Sequence, residues 1–204
     1  MRYIATREGV EKLAGNSSVT KGQRELIQKL LHDFPDAVEL FEYEDYCKTP
    51  TLGTASAFIS MALDANLHEI DPESGYMQYI ATRPRVQKHG SHGLFSSSTS
   101  VDLATAMSEL EAHEGNVWTI IYSLRREDAA RLEYDNADAW RALLMENAPT
   151  LAKSMKISLE NFHWYAAFHD EGHHPHIHMM VWSDDPKEGF LTKDGIAAMR
   201  SKLT

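Results

Sequence analysis

The sequence predicts an α+β fold, with an antiparallel sheet and helices packed on its faces. Three observations predict it. Apolar residues recur at helical spacing through most of the first half of the chain and again between 127 and 155. Three runs, 117–124, 162–168 and 176–182, are instead rich in β-branched and aromatic residues. Between His169, which follows the second of these runs, and His176, which opens the third, lie Asp170-Glu171-Gly172-His173-His174-Pro175, a polar connection short enough for a hairpin and too short for a parallel crossover.

From the N-terminus, Tyr3, Ile4, Val10 and Leu13 give residues 1–13 the pattern of a short amphipathic helix. Ser17 or Ser18 is placed to cap a second helix carrying Leu26, Ile27, Leu30, Leu31 and Phe34, and Pro35 ends it. Residues 36–48 mix acids and aromatics and fit no single period. An Ala-rich helix follows over 51–65, a turn at Pro72, Ser74 and Gly75, and a short helix over 76–82, closed before Pro84. Gly and Ser make 90–100 a loop, and 101–113 a helix with Asp102 in its first turn. The strand 117–124 precedes helices at about 127–132, 136–147 and 150–155, and a last helix starts near Leu191. No composition shift marks a domain boundary, so residues 1–204 read as one domain. The final helix stops without a cap or breaker, which leads us to expect a piece of a longer protein.

Composition narrows the function. No run of eighteen apolar residues is present, which excludes a membrane-spanning helix, and Arg2, Arg7 and Glu8 interrupt any signal-peptide core. A single cysteine, Cys47, excludes a disulfide framework and a Cys-based zinc site; it reads as packing, and the cytoplasm is the expected compartment. Thirty acids against 20 bases leave a net charge of −10, which argues against bulk electrostatic capture of nucleic acid. Any nucleic-acid chemistry must therefore be local.

The strongest local signal is histidine: of 11 in the chain, six crowd 163–178. In a strand, residues i and i+2 share a face. His176 and His178 thus present two imidazoles side by side, and the hairpin brings His169 opposite them. Three neutral imidazoles with open positions form a half-closed site for a divalent metal. An isolated pair of this kind reads as a solvated turn; the third histidine and the neighbouring carboxylates favour a metal. His173 and His174 remain alternatives to His169, and Asp170 and Glu171 are placed to accept a second ring N–H. His163 alternates with Tyr165 and reads as a sheet-face residue.

A second signal is a repeat. Tyr3-Ile4-Ala5-Thr6-Arg7 recurs as Tyr79-Ile80-Ala81-Thr82-Arg83, with Val10 and Lys12 matched by Val86 and Lys88. The two copies are either helices that pack alike, each with a half-buried tyrosine, or a segment in which a tyrosine is chemical and the bases nearby bind phosphate. Arg83, Arg85, Lys88, His89 and His92 make 83–92 the most basic short stretch.

The block from His169 to His178 resembles the metal motif of HUH endonucleases, and within them the conjugative relaxases of the MobL group. Tyr3-Ile4-Ala5-Thr6-Arg7-Glu8-Gly9-Val10, His92-Gly93-Leu94-Phe95, Asn116-Val117-Trp118, Ser123-Leu124-Arg125-Arg126-Glu127-Asp128 and Trp164-Tyr165-Ala166-Ala167-Phe168-His169 extend the resemblance over nearly the whole chain. It implies an HUH-like sheet of about five strands, here without the usual N-terminal strand, and an enzyme that nicks single-stranded origin-of-transfer DNA for plasmid mobilisation. It further implies a divalent ion, Mn2+ or Mg2+, on His169, His176 and His178, with Glu171 or Asp170 behind the ligands. Tyr3 is then the first choice of nucleophile and Tyr79 the second, forming a 5′-phosphotyrosine link and a free 3′-OH. Arg7, Arg83, Arg85 and Lys88 are candidates to contact the strand. Other relaxosome or coupling proteins are implied partners, and no membrane is. Two other readings fit the residues: a metal-dependent phosphodiester hydrolase without a covalent intermediate, and an inactive DNA-binding remnant of a relaxase.

Overall fold

The structure is a computed structural model that describes residues 18–66, 73–83, 85–98, 100–170 and 174–203. The helix expected over 1–13, with Tyr3 and Arg7, lies outside them. The chain divides into two compact units, residues 1–70 and 71–204.

The first unit is helical. Helix α1 (Lys21–Asp33) is capped by Thr20, whose hydroxyl accepts from the Gln23 amide while the Gln23 side chain accepts from the Thr20 amide. This reciprocal box displaces the start by two residues from Ser18, because only Thr20 has a Gln at the third helical position. Pro35 ends α1 and opens a 3-10 turn, Pro35–Glu39. The stretch 36–48, ambiguous in sequence, then forms α2 (Phe41–Lys48), which with α1 packs on α3 (Leu52–Asn66). Ile27, Leu30, Ala37, Phe58 and Ala62 form the core, with Tyr43 and Tyr46 against Phe58 at ring distances of 5.1 and 6.4 Å. Those tyrosines take the inward positions of α2, which leaves Cys47 exposed rather than packed as expected.

The second unit holds the sheet. Its strands are β1 (Leu94–Phe95), β2 (Trp118–Ser123), β3 (Phe162–His169) and β4 (His176–Ser183), in the order β1-β3-β4-β2 with antiparallel neighbours. The expected antiparallel hairpin is present. The described residues hold four strands rather than about five. The two-residue β1 lies inside what reads as a Gly/Ser loop; it forms because Leu94 and Phe95 pair with Ala167 and Ala166.

Strand alternation sends Phe95, Trp164, Ala166, Phe168, Ile177, Met179 and Val181 to one face of the sheet. They pack with Trp140, Leu144 and Leu151 of α7 (Ala137–Ser154) and Met199 of α8 (Lys193–Leu203). Each fully buried aromatic or large aliphatic side chain there contributes roughly 1.5–3 kcal/mol. Helix α7 runs unbroken through Pro149, where the sequence reads as two helices. Proline removes one helical hydrogen bond, but Leu144 and Leu151, buried on either side of it, hold both halves against the sheet.

The opposite face carries His163, Tyr165, Ala167 and His169 of β3 and His176, His178, Met180 and Trp182 of β4. Helix α4 (Glu73–Thr82) contacts β3 and α5 (Leu103–Glu111). Helix α4 begins before Ser74 and Gly75, which were expected to form a turn. Asp102 caps α5, accepting from the Thr105 amide at 2.8 Å. The Tyr165 hydroxyl donates to Glu109 at 2.7 Å and ties α5 to β3. Helix α6 (Arg126–Leu132) follows β2 and ends at Glu133, which adopts a left-handed conformation, φ 64°. No helix among the described residues is long and apolar enough to cross a membrane.

Candidate metal centre

His169 ends β3 and His176 starts β4, and the register sets them directly opposite one another. His178 lies two residues further along β4 on the same face. The three rings therefore converge, with centroids 5.2 Å (His169 to His176), 4.8 Å (His169 to His178) and 5.0 Å (His176 to His178) apart. One nitrogen from each lies within 4.8 Å of the others, and all three residues are 0% exposed. His163, six residues back along β3, instead stacks on Trp182 at 4.7 Å.

Each ring is turned by a hydrogen bond on its outer nitrogen. His169 Nε2 donates to the Ile80 carbonyl at 2.8 Å, and His176 Nδ1 donates to the His174 carbonyl at 2.9 Å. A carbonyl only accepts, so both bonds put the ring proton outside and leave the inner lone pair unprotonated. His178 Nδ1 meets the Tyr76 hydroxyl at 2.8 Å, leaving Nε2 as its nitrogen for the cluster. His169 Nδ1 and His176 Nε2 are buried and have no hydrogen-bond partner among the described residues. Buried polar atoms left unpaired cost about 1–3 kcal/mol each, and a shared cation removes that cost. The donor set therefore fits a divalent ion held by three imidazoles with further positions open.

Among the described residues the outer partners are two carbonyls and a phenol, and Asp170, expected from sequence in that place, is not one of them. Asp170 pairs with Arg126 at 2.5 Å and is turned to solvent. The outer nitrogens of His169 and His176 already meet carbonyls and that of His178 meets a phenol, whereas Asp170 follows the end of β3 and points away from the cluster's face. Glu171 and His173 lie outside the described residues. His174 contributes its carbonyl rather than a ring nitrogen. Of the two residues of α4 that meet the rings, Tyr76 carries no signal in the sequence and Ile80 stands there only as a member of the tyrosine repeat. Nothing local marks either as a partner of the rings, since those rings lie 102 and 89 residues downstream.

Burial, followed by the charge of Arg83, pushes the pKa of His176 down to about 3 and that of His169 well below its ordinary value. Both rings are thus neutral at neutral pH, and no proton competes with a metal there. Arg83 is 7% exposed, so it belongs to the interior near the rings rather than to an open basic surface. Its guanidinium lies 5.7 Å from the centroid of the Tyr79 ring. Tyr79, on α4, is 37% exposed. Tyr76, Tyr79, Ile80 and Arg83 recur at three- and four-residue steps and so share one side of the chain as it leaves α4. Arg85 and Lys88 are exposed, Arg85 in a left-handed conformation with φ 70° and lining a cleft with Gln87, Asn136 and Asp170.

No curated protein and no solved structure matches the chain. The family model of the MobL relaxases matches it over residues 1–204. A match of that extent shows the family: the chain belongs to the MobL relaxases, DNA-nicking enzymes of plasmid mobilisation.

Proposed function

We propose that the chain nicks single-stranded origin-of-transfer DNA by tyrosine attack, with a divalent ion on His169, His176 and His178. The observation that carries this reading is that His169 Nδ1 and His176 Nε2 are buried without a hydrogen-bond partner among the described residues, while the outer nitrogens of both rings are tied to carbonyls. Mn2+ or Mg2+ bound there supplies Lewis-acid charge at a phosphate oxygen.

The chain's own groups do the rest. A tyrosine Oη attacks phosphorus and loses its proton; the Oη–P bond forms as the P–O3′ bond breaks, and the departing 3′ oxygen takes up a proton. The phosphodiester is thereby kept as a 5′-phosphotyrosine, ready for rejoining. Tyr3 is the first candidate nucleophile on the family resemblance. Tyr79 is the second, supported by its exposure and by its place on the helix that supplies Tyr76 and Ile80. Arg83, buried near the rings, adds positive charge for the scissile phosphate, and exposed Arg85 and Lys88, with Arg7, contact the flanking backbone. Glu171 stands behind the ligands in this reading.

The test is an incubation with single-stranded origin oligonucleotide and Mn2+, followed by a denaturing gel. A covalent protein–DNA adduct is expected, lost in Tyr3→Phe and in His176→Ala. Loss in Tyr79→Phe with retention in Tyr3→Phe transfers the role to Tyr79. Cleavage with no adduct makes water the nucleophile and overturns the tyrosine mechanism.

A further inference from the structure

The three outer hydrogen bonds of the histidine cluster are not equivalent. Those of His169 and His176 end on carbonyls, which have no proton to give. Each of these rings is locked, with or without an ion, in the form whose inner nitrogen carries a lone pair. His178 is different, because its outer partner is the phenol of Tyr76, 2.8 Å from Nδ1. A hydroxyl can donate or accept. If Tyr76 donates to Nδ1, the His178 proton sits on Nε2 and the third ligand position is closed. If Tyr76 accepts from Nδ1–H, Nε2 presents its lone pair and the position is open. Tyr76 is itself 0% exposed, and its ring meets that of His178 edge-on at 6.2 Å. Packing therefore fixes the ring of the phenol, and only its O–H can rotate.

We propose that Tyr76 is the positioning residue for His178 and that its hydrogen bond reverses when the metal binds. Without the ion, Tyr76 O–H donates to Nδ1 and His178 is protonated on Nε2. With the ion, His178 carries its proton on Nδ1 and donates it to Tyr76 Oη. The imidazole keeps one proton throughout and the phenol keeps its own, so the exchange releases none. His169 and His176 undergo no such change. This inference rests on the metal-site reading given above. It adds a distinction among the ligands: two are preset by backbone and the third is gated by a side chain from another element.

Two measurements on the whole chain test it, with Zn2+ as a diamagnetic probe that imidazole ligands accept. The first is the tautomer of each ring, read from imidazole 15N shifts and long-range 1H–15N correlations, with His178 assigned by His178→Gln. Zn2+ is expected to move the His178 proton from Nε2 to Nδ1 while His169 stays protonated on Nε2 and His176 on Nδ1. A His178 proton on Nδ1 in both states overturns the reversal. The second is Zn2+ affinity by calorimetry. Tyr76→Phe preserves the ring and removes the acceptor, and is expected to weaken binding about 10–100-fold, the usual effect of losing a ligand's outer partner. Unchanged affinity overturns the positioning role and leaves the metal site standing. Wild-type protein that binds no Zn2+, or binding that survives His176→Ala, overturns the metal-site reading itself. Should Tyr76→Phe fail to fold, the wild-type tautomers still decide.

Discussion

Acid should destabilise the metal-free sheet unit well before it titrates ordinary carboxylates. His176 is held neutral by burial and by Arg83, with its folded-state pKa at about 3. An unfolded chain returns it to about 6.5. Because the folded value is the lower one, the unfolded state takes up the proton first. The stability is fully present above pH 6.5 and drains away as pH falls towards 3. The difference of roughly 3.5 pH units corresponds to about 5 kcal/mol in full, of which about 2 kcal/mol is expressed by pH 5. His169, depressed first by its own burial, acts in the same direction. All four tryptophans, Trp118, Trp140, Trp164 and Trp182, belong to the second unit, so their fluorescence follows its unfolding. Urea titrations in chelator at pH 7.5 and pH 5 should differ by at least about 2 kcal/mol, with the gap narrowed in His176→Leu. Equal stability at the two pH values, or a loss that starts only below pH 4.5, refutes the argument.

Two other outcomes follow from the same geometry. A divalent ion at 100 times its dissociation constant should add about 2.7 kcal/mol, raising the melting temperature by roughly 5–10 °C for a chain of this size. Chelator should reverse the rise, and His176→Ala should show none in a thermal shift assay. Asn136 caps α7 by accepting from the Ala139 amide at 2.9 Å. Asn136→Ala should cost about 1 kcal/mol by urea midpoint and Asn136→Asp very little.

The parts of the site legible in sequence are those written in a local period. His176 and His178 share a face because strands alternate, and His169 joins them because a short polar loop implies a hairpin. Tyr76 and Ile80 were illegible for the opposite reason: they reach the rings from a helix about ninety residues upstream, and no spacing encodes that approach. Adjacency in sequence also misdirected. Asp170 follows His169 directly, yet strand geometry sends it away towards Arg126. In the fold, Leu94 and Phe95 were submerged among glycines and serines, and only tertiary pairing with β3 makes them a strand. Pro149 read as a break because its local cost is plain, whereas the core contacts that offset it are not.

The pairing of His169 with His176 makes the histidine cluster a property of alignment as much as of residue identity. Sliding β4 past β3 by a single step would carry His176 and His178 into the greasy layer beneath α7 and lift Ile177 into their place. The connecting turn is bound to the same alignment, because the carbonyl of His174 within it holds the His176 ring. Deleting Ile177 would make His176 and His178 consecutive and turn them to opposite faces while leaving every histidine in the chain.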